Sequence, residues 1–257
     1  MAEYTDTHAH LSMLDQASIE QILLRAKMQG VKRIITVSTS EENWEANRQF
    51  AEEHEGVYYS LGLHPHDAIR WPECAASLDG YFKSSIPKKC VAIGEMGLDF
   101  YYEFSPREIQ TDVFESQMQL AKRVGLPIIV HCRDSFEVLF SSTRKVGLGK
   151  RGGVMHCFTG NTDQAKEALS LGFKISFSGI LTFKNSHALR ETAKQIPQSE
   201  ILIETDCPYL TPMPFRGKPN EPSYVVLTAE VLASTLSKSV EEIAQLTTEN
   251  AVTFFAL

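Results

Sequence analysis

Eight short apolar runs, separated by stretches with helical periodicity, set the narrowest limit on what this chain can fold into. The runs lie at Thr5–His10, Ile34–Val37, Val57–Leu63, Cys90–Glu95, Pro127–His131, Gly153–His156, Phe173–Phe177 and Ile201–Thr205. Most are continuously apolar rather than alternating, which is how strands covered on both faces read, as in a parallel sheet. Between them, Ile19, Ile22, Leu23 and Ala26 fall at i, i+3, i+4, i+7, one face of a helix that Gly30 stops. Further helices are expected over 41–54, about 73–84, after Ser105, over about 135–145, and around Ala165, Ala168 and Leu169. Ser105-Pro106-Arg107-Glu108 and Ser239-Val240-Glu241-Glu242 both have the pattern of a capping box. Two helices end the chain, the first with Val225, Ala229, Leu232 and Leu236 on one face. An eightfold β/α alternation in 257 residues predicts an α/β fold, a (β/α)8 TIM barrel as one domain over 1–257. An open doubly wound sheet is the alternative.

The barrel accounts better for where the chemistry falls. Strand after strand ends in a side chain able to bind metal: His8 and His10, then Glu95, His131, His156 and Asp206. Two histidines at i, i+2 on a strand project to the same face. In a barrel all C-terminal strand ends ring one mouth, where active sites sit. A lone strand-end histidine is more often a satisfied polar group, and Glu95 could cap a helix or meet an arginine. The same accident on five strands is a poor explanation. The set suits two divalent cations, with Glu95 bridging through its two oxygens. His8, His10 and Asp206 would complete one site, His131 and His156 the other. Mixed imidazole and carboxylate ligation favours zinc, manganese or iron(II) over magnesium. Such a pair lowers the pKa of bound water from ~15.7 towards ~7, and Asp206 is the expected proton acceptor.

Composition excludes other classes. A net charge of −7 argues against coating long nucleic acid, which needs a basic stripe. The first residues lack a basic region followed by an apolar one, and no run is long enough to cross a bilayer. Five cysteines with no C-x-x-C pair fit a reduced, cytoplasmic protein. Cys132 and Cys157 follow candidate ligands directly, so on a strand they face the other way, as small buried residues behind the barrel wall.

Seven segments together resemble the TatD family of metal-dependent deoxyribonucleases. They are Thr7-His8-Ala9-His10, Gly62-Leu63-His64-Pro65-His66, Gly94 to Asp99, His131-Cys132-Arg133-Asp134, His156 to Gly160, Glu204 to Leu210, and Asn220-Glu221-Pro222. The resemblance spans nearly the whole chain in order. It implies a barrel of the amidohydrolase type, a metal cluster held by His8, His10, Glu95, His131, His156 and Asp206, and hydrolysis of DNA phosphodiesters from 3′ ends. Single-stranded DNA ends are then the expected partner, and a monomer suffices. Glu204, two residues before Asp206, would back a ligand or join a third metal, as in some relatives. His64 is expected to donate to a substrate phosphate, and Arg133 to fork onto one, with a salt bridge to Asp134 or Glu103 as its alternative. His66 reads as structural. Among Tyr101, Tyr102, Phe104, Phe158 and Phe183, one or two are expected to stack a base. Arg144, Lys145, Lys150 and Arg151 precede strand six, at the barrel bottom, and read as a solvated face.

Two rival functions remain at this stage. One is an amidohydrolase or phosphoesterase acting on a small amide, lactone or phosphoester. Such barrels often bridge their metals with a carboxylated lysine on strand four, where this chain has Glu95. The other is a metal-stabilised scaffold, which has no need of an open mouth lined by six ligands.

Overall fold

The computed structural model describes residues 2–257. Its eight strands are β1 (Tyr4–Ala9), β2 (Val31–Thr36), β3 (Val57–Leu61), β4 (Cys90–Asp99), β5 (Ile128–Arg133), β6 (Gly153–Met155), β7 (Phe173–Phe177) and β8 (Ile201–Ile203). All neighbours pair in parallel, in sequence order. The intervening helices are α1 (Ile19–Met28), α2 (Glu41–Glu53), α3 (Trp71–Gly80), α4 (Arg107–Val124), α5 (Phe136–Val146), α6 (Thr162–Ser170) and α7 (His187–Ala193). Helices α8 (Val225–Leu236) and α9 (Val240–Phe255) follow β8. This is the expected barrel, nearly closed.

Its strands are buried on both faces, which is why they read as unbroken apolar runs. Ile34 faces the helices, whereas Ile35 and Val37 point into the barrel with Val91, Ile129, Val154 and Leu202. Ala251, Phe254 and Phe255 of α9 complete that inner cluster. The helix is tied to the strand starts, since Asn250 donates to the Ile201 carbonyl and Thr248 to the Glu3 carbonyl. It therefore closes the bottom of the barrel.

The seam between β8 and β1 has little regular ladder. A single bridge joins Ala9 to Cys207, and the amides of His10 and Asp206 donate to the carbonyls of Cys207 and His8, each at 2.8 Å. The buried Asp6 carboxylate reinforces it, accepting from the Thr205 amide (2.9 Å), the Thr205 hydroxyl (2.6 Å) and the His8 amide (3.3 Å).

One expected cap is absent. Helix α4 starts at Arg107 with Pro106 in the cap position, and Ser105 caps nothing. Ser105 is fully buried; its hydroxyl accepts from the Ile69 amide (3.1 Å) and donates to the His66 carbonyl (2.8 Å). The tie to the loop after β3 takes the hydroxyl that the local pattern assigns to the helix. At α9 no such competitor exists, and Ser239 and Glu242 form the expected box. Helix α3 begins at Trp71 and ends at Gly80, two to four residues earlier than periodicity suggests.

Replacing Asp6 with Ala strands two amides and a hydroxyl at the seam, at a cost of about 2–4 kcal/mol. The thermal midpoint of chelator-treated protein should fall by roughly 4–12 °C. Asp6→Asn, which keeps an acceptor, should lose less.

Candidate metal centre

Glu95 sits at the middle of the barrel mouth because two glycines let β4 press against β5. Gly94 (φ +150°) and Gly97 (φ +141°) adopt backbone angles that favour glycine. A Cβ on Gly94 would lie 2.6 Å from the Ile129 carbonyl oxygen, and one on Gly97 2.0 Å from that of His131. The carboxylate they flank is buried, and its two oxygens face two different groups of side chains.

Oε2 faces β1. His8 Nε2 lies at 3.4 Å and His10 Nε2 at 3.8 Å. Asp206 Oδ1 completes this group, 3.7 Å from His8 Nε2 and 3.4 Å from His10 Nε2, and the two imidazole nitrogens are 3.3 Å apart. Asp206 reaches there from a left-handed backbone (φ +58°), which aspartate tolerates. Oε1 faces β5 and β6, with His156 Nε2 at 2.9 Å, His131 Nδ1 at 3.1 Å and His64 Nε2 at 3.5 Å. The five other predicted ligands thus converge around Glu95, His131 being the most exposed of the histidines among them.

The far nitrogens of three of these rings are anchored, whereas His8 Nδ1 is buried with no partner among the described residues. His10 Nδ1 donates to the Val37 carbonyl (3.1 Å), His131 Nε2 to Asp99 Oδ2 (3.0 Å) and His156 Nδ1 to Glu204 Oε1 (3.1 Å). Glu204 also accepts from the Cys157 amide (2.7 Å) and the Ser176 hydroxyl (2.5 Å). It is therefore placed behind His156 and orients it, while lying close enough to His8 and His156 to count among the groups that could hold an ion.

Asp99 was not predicted. It accepts from His131 and His66 at 3.0 Å each, and its other oxygen takes the amides of Tyr101 and Tyr102. A period-two count from Glu95 puts residues 97 and 99 on the same face, and that signal was available in the sequence. His66, read as structural, is the second arm of this carboxylate.

Electrostatics explain why the cluster calls for cations. Among the described residues, no lysine or arginine pairs with Glu95, Asp99, Glu204 or Asp206. His131 and His156 each lie between two carboxylates. Burial would lower His156, yet Glu95 and Glu204 hold it well above the usual imidazole value. His131 is raised likewise by Asp99 and Glu95 against its burial. Glu95, despite burial, is kept well below the ordinary carboxylate range by His156, His64 and His8. Without metal, protons fill the gaps between imidazole and carboxylate. A divalent cation can replace them, and ligand atoms ~2.0–2.1 Å from a shared tetrahedral ion stand roughly 3.3 Å apart, close to the spacing around His8 and His10. The residues fit a metal pair.

His64 differs from its neighbours. Its Nδ1 accepts from the His66 amide (3.2 Å), so the neutral ring carries its proton on Nε2, towards Glu95. Burial lowers it to about 4, so it is a neutral donor at physiological pH. Arg133 makes neither expected salt bridge. Its guanidinium lies over the rings of Tyr101 (4.0 Å) and Tyr102 (4.7 Å), and Glu103 pairs with Arg107 instead. Tyr101, Tyr102 and Phe104 are exposed, whereas Phe158 is buried against Phe136 and is unavailable to a base. Two of the four basic residues before β6 pair with carboxylates, Arg144 with Glu167 and Lys145 with Glu115.

The profile of the family described as TatD related DNase matches residues 5–256. An uncharacterized metal-dependent hydrolase, YabD of Bacillus subtilis, is 44% identical over 98% of each chain. A 3′-5′ ssDNA/RNA exonuclease, TatD of a Rahnella species, is 34% identical over 92% of each. The crystal structure of YjjV, a TatD homologue from Escherichia coli, superposes with a TM-score of 0.93 at 32% identity, covering 99% of this chain and 98% of that one.

Uptake of divalent metal by chelator-stripped protein should release protons, and apparent affinity should rise as the pH climbs beyond the ordinary imidazole value of about 6.5, because His131 and His156 are raised above it. Calorimetry in buffers of different ionisation enthalpy measures this; a buffer-independent heat would contradict it. Asp99→Ala should weaken metal binding or activity about 10–100-fold through loss of the His131 anchor.

Proposed function

The chain belongs to the TatD-related DNase family and is a metal-dependent hydrolase, and from that premise we propose that it shortens single-stranded DNA from the 3′ end. The observation that carries this reading is the bridging placement of Glu95 at an open mouth, beside an exposed aromatic loop held by Arg133. The 3′-5′ activity named for the Rahnella relative supports the choice of substrate.

Two divalent cations in such a cluster supply Lewis acidity and a nucleophile at neutral pH. His8, His10 and Asp206 would hold one, His131 and His156 the other, with Glu95 between them. Asp206 is held below the usual carboxylate value, against its burial, by His10, His156 and His8. It stays ionised and can take the proton of the attacking water. His64 directs its Nε2–H at the same space and can donate to a phosphate oxygen without carrying a charge. Arg133 keeps its N–H edges free for a phosphate while its face rests on Tyr101, and the exposed Tyr102 and Phe104 rings are stacked on each other. Base stacking on such rings is worth roughly 1–3 kcal/mol per base and does not depend on sequence.

A 5′-labelled single-stranded oligonucleotide incubated with metal-loaded protein should give a ladder of products shortened from the 3′ end. Asp206→Asn should lower kcat by about 10²–10⁴-fold, the usual range for losing a general base. If no oligonucleotide were shortened with magnesium, manganese or zinc while a small phosphodiester was hydrolysed, the DNA assignment would fail and the metal assignment would stand. Wild-type cleavage by Asp206→Asn would remove Asp206 from the mechanism.

A further inference from the structure

The loops after β7 and β8 are basic. Residues 177–190 and 207–220 contain Lys184, Arg190, Arg216 and Lys218 and no aspartate or glutamate, in a chain of net charge −7. Elsewhere six arginines, Arg25, Arg48 and Arg144 among them, are held by carboxylates. Arg216 has no such partner among the described residues. Its guanidinium lies over the ring of Phe183, with Cζ 3.9 Å from the centroid, and it is exposed. The two loops are built as one unit. The Met213 amide donates to the Thr182 hydroxyl (2.8 Å), and Arg190 holds the carbonyls of Leu181 and Phe183 at 2.8 and 2.9 Å. Both loops follow parallel strands and so share the rim of the metal centre. The second follows directly after Asp206, and its Tyr209 ring lies 6.0 Å from that of His10.

A guanidinium stacked on an aromatic face, with its N–H edge free, is an arrangement that takes phosphate while a neighbouring base finds a flat surface. We propose that Arg216 on Phe183, with Lys184 and Lys218 from the same two loops, is a second grip for the sugar–phosphate chain of single-stranded nucleic acid, apart from the metal centre on the same rim. This rests on the DNA reading above. It makes the loops after β7 and β8 the determinant of substrate length: an oligonucleotide long enough to reach them is held more tightly than a dinucleotide, which occupies the metal centre alone.

The test compares metal-loaded wild type with Arg216→Glu/Lys218→Glu on a 20-mer and on a dinucleotide, by steady-state cleavage and by anisotropy of a fluorescent 20-mer over a salt series. The double variant should raise KM for the 20-mer about tenfold with little change in kcat, and lose most of the advantage of length. Its salt slope should fall by roughly 1.4, for two phosphate contacts on a single strand at about 0.7 each. Arg144→Glu, at the opposite end of the barrel, should keep the advantage of length. An equal rise of KM on both substrates, or no change on either, overturns the proposal. If wild type cuts no oligonucleotide, the DNase reading has failed, and binding alone decides: salt-dependent binding lost in the double variant supports the grip, and its absence in wild type refutes it.

Discussion

The structure depends on a buried negative charge that the chain itself does not neutralise. Glu95, Asp206, Glu204 and Asp99 lie within or beside one cluster, and among the described residues the only groups facing them with a positive charge to offer are imidazoles. Unpaired buried carboxylates are costly, so such a cluster persists only with cations or protons between its members. The neighbouring features serve that arrangement. Gly94 and Gly97 bring Glu95 in against β5, Asp6 holds the seam from which His8 and Asp206 project, and Asp99 and Glu204 fix the rings of His131 and His156.

The same carboxylates join binding to chemistry. Asp99 takes the amides of Tyr101 and Tyr102 on one oxygen and the imidazoles of His66 and His131 on the other. The backbone of the aromatic loop therefore shares a carboxylate with His131, so the position of one depends on the other. Ser105 extends the connection, tying the loop after β4 to the backbone of His66 and Ile69.

Much of this was legible in the sequence, for an identifiable reason. A parallel barrel writes its strands as apolar runs and gathers their ends at one rim, so His8, His10, Glu95, His131, His156 and Asp206 can be found by asking how each run stops. What was not legible depended on contacts between distant loops. Ser105 has the local pattern of a helix cap, and only the presence of Ile69 and His66 shows where its hydroxyl goes. Arg133 has acidic neighbours in sequence, yet it stacks on Tyr101 because Glu103 is taken by Arg107. Asp99 was masked by its place at the end of a long strand, where an aspartate reads as punctuation.

The plug formed by α9 has a consequence for how a polymer is handled. With Phe254 and Phe255 packed under a filled interior, the barrel is a cup and not a tunnel. On the proposed reading, a strand could not be threaded through and trapped, and nothing topological would keep the protein on it between cuts. The number of cuts per encounter would then depend on how firmly side chains around the lip hold the strand as its new terminus slides into place.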